Sequence, residues 1–114
     1  MPPSRRNKPF DLPRYLAQKI AVALGKEDHC GNVRTIRDRR PLKDLPLEEK
    51  FDELDGTVEV DQGAFRGKSV LIIDDLYQSG ISVNYVAMLL LQGGAEKVFG
   101  LACEKTSRND ANIG

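Results

Sequence analysis

The chain of 114 residues predicts an α/β fold built on a doubly wound, mostly parallel sheet. Three observations carry that expectation. Val70, Leu71, Ile72 and Ile73 form an apolar, β-branched-rich run without alternation, which suits a parallel strand covered on both faces and is too short for a free-standing helix. It ends on two acids, Asp74 and Asp75, followed by a small polar segment and an apolar helix. After the doublet Gly93-Gly94 a second buried run, Val98 to Cys103, completes a strand-helix-strand unit, which closes as a right-handed parallel crossover. Ligands of such sheets sit at the carboxyl ends of the strands.

The elements follow in order. Asp11 can cap a helix from Leu12 to Leu24, with Pro13 tolerated in its first turn and Gly25 at its exit. Leu12, Leu16, Ile20 and Leu24 give that helix one apolar face. Residues 32–37 are a weak candidate strand. The stretch from Asp38 to Lys50 packs charges around Pro41 and Pro46 and reads as a mobile surface excursion. A short amphipathic helix, Leu47 to Leu54, then closes at Gly56, and Thr57 to Val60 alternates as a short strand. Gly63 and Gly67 bracket a turn before the strand at Val70. The helix after the acids spans Ser82 to Leu91, is apolar on most of its circumference and should be well buried.

Length and composition describe one domain. With 40% hydrophobic and 30% charged residues the chain reads as globular, and no apolar run approaches the roughly 20 residues of a membrane span. The N-terminal MPPSRRNKPFD has no apolar signal core, so the cytoplasm is the expected compartment. Net charge is zero but unevenly placed: residues 1–50 carry 12 Lys and Arg against 7 Asp and Glu, and residues 51–114 carry 5 against 10. That polarity suits basic groups facing the acidic pair, or head-to-tail association, or a chance clustering of charged loops. Cys30 and Cys103 have no framework spacing and are expected as reduced thiols, Cys103 as a small buried residue. His29 adjoins Cys30, but one neighbouring pair in a polar turn lacks the second ligand pair of a zinc site. The basic N-terminal segment offers weak support for nucleic-acid binding, since few aromatics interleave it.

The chemistry concentrates in Val70 to Ser82, VLIIDDLYQSGIS. Gly80 can adopt positive φ, so successive amides of the loop can turn toward one anion, and the following helix N-terminus adds a partial positive charge at the same spot. This segment resembles the phosphoribosyl-pyrophosphate (PRPP) motif of type I phosphoribosyltransferases: four apolar residues, two acids, two apolar residues and a loop of the T-T-G-x-T kind. Gln78 replaces the first loop threonine, and Ser79 and Ser82 replace the other two. PPSRR, YLAQKIAVALG, RPLKDLPLEEKFDEL, GAFRGKSVLIIDD and LLLQGGAEKVFGLACEKT are similar, in that order, to segments of the ComF-like (competence protein F) branch. That branch's R-G-F-N-Q segment is not reproduced by residues 6–10.

The resemblance implies that Asp74 and Asp75 hold the ribose hydroxyls and act as the catalytic pair, and that the site runs on through Leu76, Tyr77, Gln78, Ser79, Gly80, Ile81 and Ser82, the last five wrapping the 5′-phosphate. Arg5, Arg6 and Lys8 become candidates for the pyrophosphate, with Arg39, Arg40 and Lys43 able to close over it. Lys105 and Thr106 lie on the ligand side with no role assigned. Magnesium would accompany PRPP, with no protein ligand assigned to it directly. The reaction implied is displacement of pyrophosphate from C1 by a nitrogen nucleophile of unknown identity. The alternative within the same fold is a non-catalytic regulator that binds PRPP or a nucleotide, or a protein associated with DNA uptake. LIIDD also resembles the acidic pair of receiver domains, but only 39 residues follow Asp75 and Asp110 lies in a polar tail. No segment reads as the hood and first core strand that precede PPSRR in the resembling family, which leads to the expectation of a homo-oligomer or of the remainder of a longer chain, with little catalytic transfer.

Overall fold

A computed structural model describes residues 1–3, 5–6, 11–40, 42, 45–77 and 80–105. The order of elements is α1 (Leu12–Leu24), a 3₁₀ turn (Cys30–Asn32), β1 (Val33–Thr35), α2 (Leu47–Leu54), β2 (Val58–Val60), β3 (Ser69–Tyr77), α3 (Ile81–Gln92) and β4 (Lys97–Lys105). Local chemistry sets most of the boundaries. Asp11 accepts from the amide of Arg14 at 3.3 Å, Pro13 sits in the first turn, and Gly25 leaves α1 in the left-handed region at φ 66°. Pro46 opens α2, and Glu48 and Glu49 in its first turn favour the helix dipole.

β3 and β4 pair in parallel, Val70 opposite Val98 and Ile73 opposite Leu101, and α3 joins them. β1 and β2 pair antiparallel, Val33 opposite Val60 and Thr35 opposite Val58. Among the described residues these are two separate two-stranded sheets rather than the continuous doubly wound sheet expected. The α/β character and the parallel crossover stand. Both long strands outrun the sequence reading. β3 continues past the two acids to Tyr77 because Leu76 and Tyr77 extend the parallel ladder opposite Glu104 and Lys105.

One core joins the elements: Leu54, Phe65, Ile72, Tyr85, Val86, Leu90 and Ala95 cluster, with Val58, Val60, Val70 and Val98 packed around them. Gly100, opposite Ile72, is the close-approach point of α3, since a Cβ there would lie 3.1 Å from Val83 Cγ1. The hydroxyl of Thr57, a fully buried residue, donates to the carbonyl of Leu54 at 2.6 Å. Tyr85 ties α3 to the end of α2, its hydroxyl accepting from the amide of Gly56 at 3.0 Å and its ring meeting Phe51 edge-on.

Expected burial needs correction: Leu71 of β3 and Phe99 and Leu101 of β4 are exposed, so neither strand is buried on both faces as its apolar run suggests. Only Pro13 of α1 is buried, while Leu12 and Leu24 on its apolar stripe are exposed. α3 buries Tyr85, Val86 and Leu90 but leaves Met88 and Leu91 exposed, so its apolar circumference is only partly covered.

Candidate functional site

β3 carries the two acids toward its C-terminal end, and three residues after Tyr77 the chain enters α3. The hinge between them is Gly80, which is buried and has φ 79° as the N-cap of α3. A left-handed residue costs an L side chain about 1–2 kcal/mol, so a glycine enters α3 here without strain. As a glycine, this N-cap offers no capping side chain of its own. Ile81 is the first residue of the helix and packs on the core, and Ser82 is half-buried in the first turn. Gln78 and Ser79 lie outside the described residues; Asp75, Leu76 and Tyr77 are placed as strand backbone only.

Asp74 is half-buried. Its charge reaches Arg39, a half-buried arginine that also feels Glu53. Burial pulls the Arg39 pKa below its ordinary value, and the attraction of Glu53 and Asp74 opposes that. The excursion therefore places a cation within electrostatic reach of the first acid of the motif, thirty-odd residues away in sequence, which no local pattern announces. Its flanks are pinned. Arg6 donates from its amide and its side chain to Asp38, at 2.9 and 3.1 Å. Arg40 donates from its amide and Nε to Glu53, at 2.9 and 3.0 Å, and Arg37 donates to the carbonyl of Asp55 at 2.8 Å. These partners hold the carboxyls of Asp38 and Glu53 below the ordinary range, in each case chiefly through the backbone amide and then through the guanidinium.

The pyrophosphate candidates are thus partly engaged. Arg6 is exposed but bound to Asp38, Arg5 is exposed close to the same acid, and Lys8 lies outside the described residues, as does Lys43. Lys105 is paired with Tyr77 as backbone, and Thr106 lies outside the description. Among the described residues no group of three or more His, Cys, Asp or Glu is placed to hold a metal ion, and no helix is long and apolar enough to cross a membrane.

His29 and Cys30 serve structure rather than chemistry. The imidazole bonds Asn32 and Glu27 at 3.0 and 3.1 Å and leans on Phe65 with centroids 5.3 Å apart. The Cys30 thiol is pushed up to about 11, first by burial and then by the neighbouring Asp28 carboxylate, which makes it a poor nucleophile.

Comparison with protein-family models gives no match, and no curated protein or solved structure matches the chain significantly.

Proposed function

We propose that the chain binds the ribose 5-phosphate part of PRPP, or of a nucleotide, at the C-terminal end of β3. One observation carries the reading: a buried left-handed glycine, Gly80, is the N-cap of α3, three residues beyond the end of a parallel strand that carries Asp74 and Asp75 in its C-terminal half. Asp74 and Asp75 would accept from the ribose hydroxyls, and the amides and hydroxyls of residues 78–82 would donate to the phosphate, aided by the helix dipole. Arg39, within electrostatic reach of Asp74, would offset part of that charge before a ligand arrives. The described residues provide no protein cage for magnesium. The ion suits this site only as one bound mainly by pyrophosphate and water, with one or two carboxylates completing its octahedron.

Under this reading transfer would follow type I phosphoribosyltransferase chemistry, a nitrogen nucleophile displacing pyrophosphate from C1. The chain's groups would act by positioning and by stabilising charge. Binding without efficient transfer is the second reading, and a specific observation favours it. Arg6 and Arg40 are committed to Asp38 and Glu53 rather than turned toward a pyrophosphate.

Titration calorimetry with PRPP and magnesium tests the binding, and pyrophosphate release across a panel of purine and pyrimidine bases tests the transfer. Saturable heat at submillimolar PRPP that vanishes in Asp74→Asn/Asp75→Asn is expected. Ser79→Ala should weaken binding by about 0.5–3 kcal/mol if its hydroxyl meets the phosphate. No heat at millimolar PRPP, or heat indifferent to the double substitution, overturns the site. Turnover near the common order of 10 per second with any one base overturns the second reading and establishes transfer.

A further inference from the structure

His29 is the single histidine of the chain, and both of its ring nitrogens face oxygen atoms. Nε2 lies 3.1 Å from Oε1 of Glu27, and Nδ1 lies 3.0 Å from Oδ1 of Asn32. Neither oxygen can donate. Glu27 is a carboxylate, whose pKa Lys68 and then the imidazole hold below the ordinary value, so it stays ionised wherever a histidine titrates. An asparagine amide can face either way, but Nδ2 of Asn32 donates to Oδ2 of Asp61 at 3.1 Å. Asp61 is itself kept ionised, chiefly by Arg34 and then by Asn32. The amide is thereby fixed with its oxygen toward the ring. An imidazole that meets two acceptors needs a proton on each nitrogen, so the geometry is that of the imidazolium.

The ring joins two parts of the fold through side chains. On one side Glu27 also accepts from Nζ of Lys68 at 3.0 Å, and Lys68 is the residue before β3. On the other side Asp61, the residue after β2, accepts from Arg34 of β1 as well as from Asn32. One chain of polar contacts thus runs from the entry of β3 to the β1–β2 pair, with the imidazole in its middle. Phe65 of the core seats the ring at a centroid distance of 5.3 Å. Asp28 also feels the charge of the ring, and Arg14 of α1 acts on Asp28 in turn. The adjoining Cys30 thiol, raised to about 11, is neutral over the range in which a histidine titrates.

We propose that His29 is a pH-operated latch, which ties the β1–β2 pair to the run-in of β3 when both ring nitrogens carry protons and lets go of Asn32 when only one does. Imidazole is the side chain that gains or loses a proton between about pH 5 and about pH 8. The acceptors decide which bond is given up. A hydrogen bond to an ionised acceptor is about twice as strong as one between neutral groups, so the remaining proton stays on Nε2 against Glu27. The Nδ1 lone pair then opposes the Asn32 oxygen. Were Asn32 to turn its amide over to meet that lone pair, its oxygen would face the Asp61 carboxylate. The chain of contacts therefore breaks at one end of Asn32 or the other.

The test is nuclear magnetic resonance of the whole, nitrogen-labelled chain, in which every imidazole signal belongs to one residue. Titration from about pH 5 to about pH 8 should show both ring nitrogens protonated at the acid end and Nε2 alone protonated at the alkaline end. The side-chain amide of Asn32 should be ordered in acid and lose that order, read as a fall in its heteronuclear Overhauser effect, at the same midpoint as the ring. Glu27→Gln, at a side chain 69% exposed, replaces the ionised acceptor by an amide that can also donate. The neutral ring of that variant should keep its proton on Nδ1, and Asn32 should stay ordered throughout. A neutral ring protonated at Nδ1 in the unaltered chain overturns the proposal. So does an Asn32 amide equally ordered at both ends of the titration, or one that loosens in Glu27→Gln as it does in the unaltered chain.

Discussion

Tyr85→Phe removes one oxygen and isolates the bond that ties α3 to the end of α2. The hydroxyl accepts from the Gly56 amide at 3.0 Å, where the chain turns at φ 75° between α2 and β2. Deleting the acceptor strands a part-buried donor, for which the net cost is about 0.5–1.5 kcal/mol. Gly56 is itself exposed, so water can reach the orphaned amide in part and the cost should stay near 1 kcal/mol. Tyr85→Ala adds the loss of a ring that is 4% exposed and should total about 3–5 kcal/mol. The ring also meets Phe51 at 6.5 Å and 89°, a geometry worth about 0.5–1.5 kcal/mol between buried rings, and Phe51 is half exposed, so Phe51→Leu should sit at the low end. Urea unfolding followed by circular dichroism gives each value, with the denaturant slope unchanged if the native state stays compact. The midpoint temperature of Tyr85→Phe should fall by about 4 °C. A Tyr85→Phe loss below about 0.3 kcal/mol, within the scatter expected of a neutral surface substitution, would refute the claim that this bond holds the α2 corner.

Gly80→Val places a branched side chain at φ 79° and should lower stability by more than the roughly 1–2 kcal/mol of an ordinary left-handed residue, measurable by the same unfolding curves. Acid should weaken the fold through Asp38, Glu53 and Asp61. The folded pKa of each lies below the ordinary 3.8 or 4.5, Asp61 chiefly because Arg34 and then Asn32 donate to it. Their contribution is complete above those ordinary values and is lost as pH falls through the lower folded ones; a pH titration of the unfolding midpoint that stays flat below pH 4 would contradict it. Cys30, raised from 9.0 to about 11, should carry about 100-fold less thiolate than an ordinary cysteine at pH 8. Iodoacetamide labelling located by peptide mass spectrometry should show that retardation at Cys30 in the native chain and its loss in urea.

The elements written by short-range chemistry were legible in the residues alone. Asp11, Pro13 and Gly25 delimit α1, and VLII and VFGLAC lie in strands as read, though Leu71, Phe99 and Leu101 are exposed rather than buried. Gly80 stood out because glycine can adopt positive φ, which it does as the N-cap of α3. Long-range pairing decided the rest. Charge along residues 38–50 marked a polar excursion but not that Asp38 and Arg40 meet Arg6 and Glu53, nor that Arg39 comes within electrostatic reach of Asp74. A chain reports which charges it holds and not which distant ones they meet, since an ion pair depends on the path between them. The exposed stripe of α1 has the same origin. Periodicity guarantees that Leu12, Leu16, Ile20 and Leu24 share one face, but burial requires a surface opposite, and the fold leaves Leu12 and Leu24 exposed.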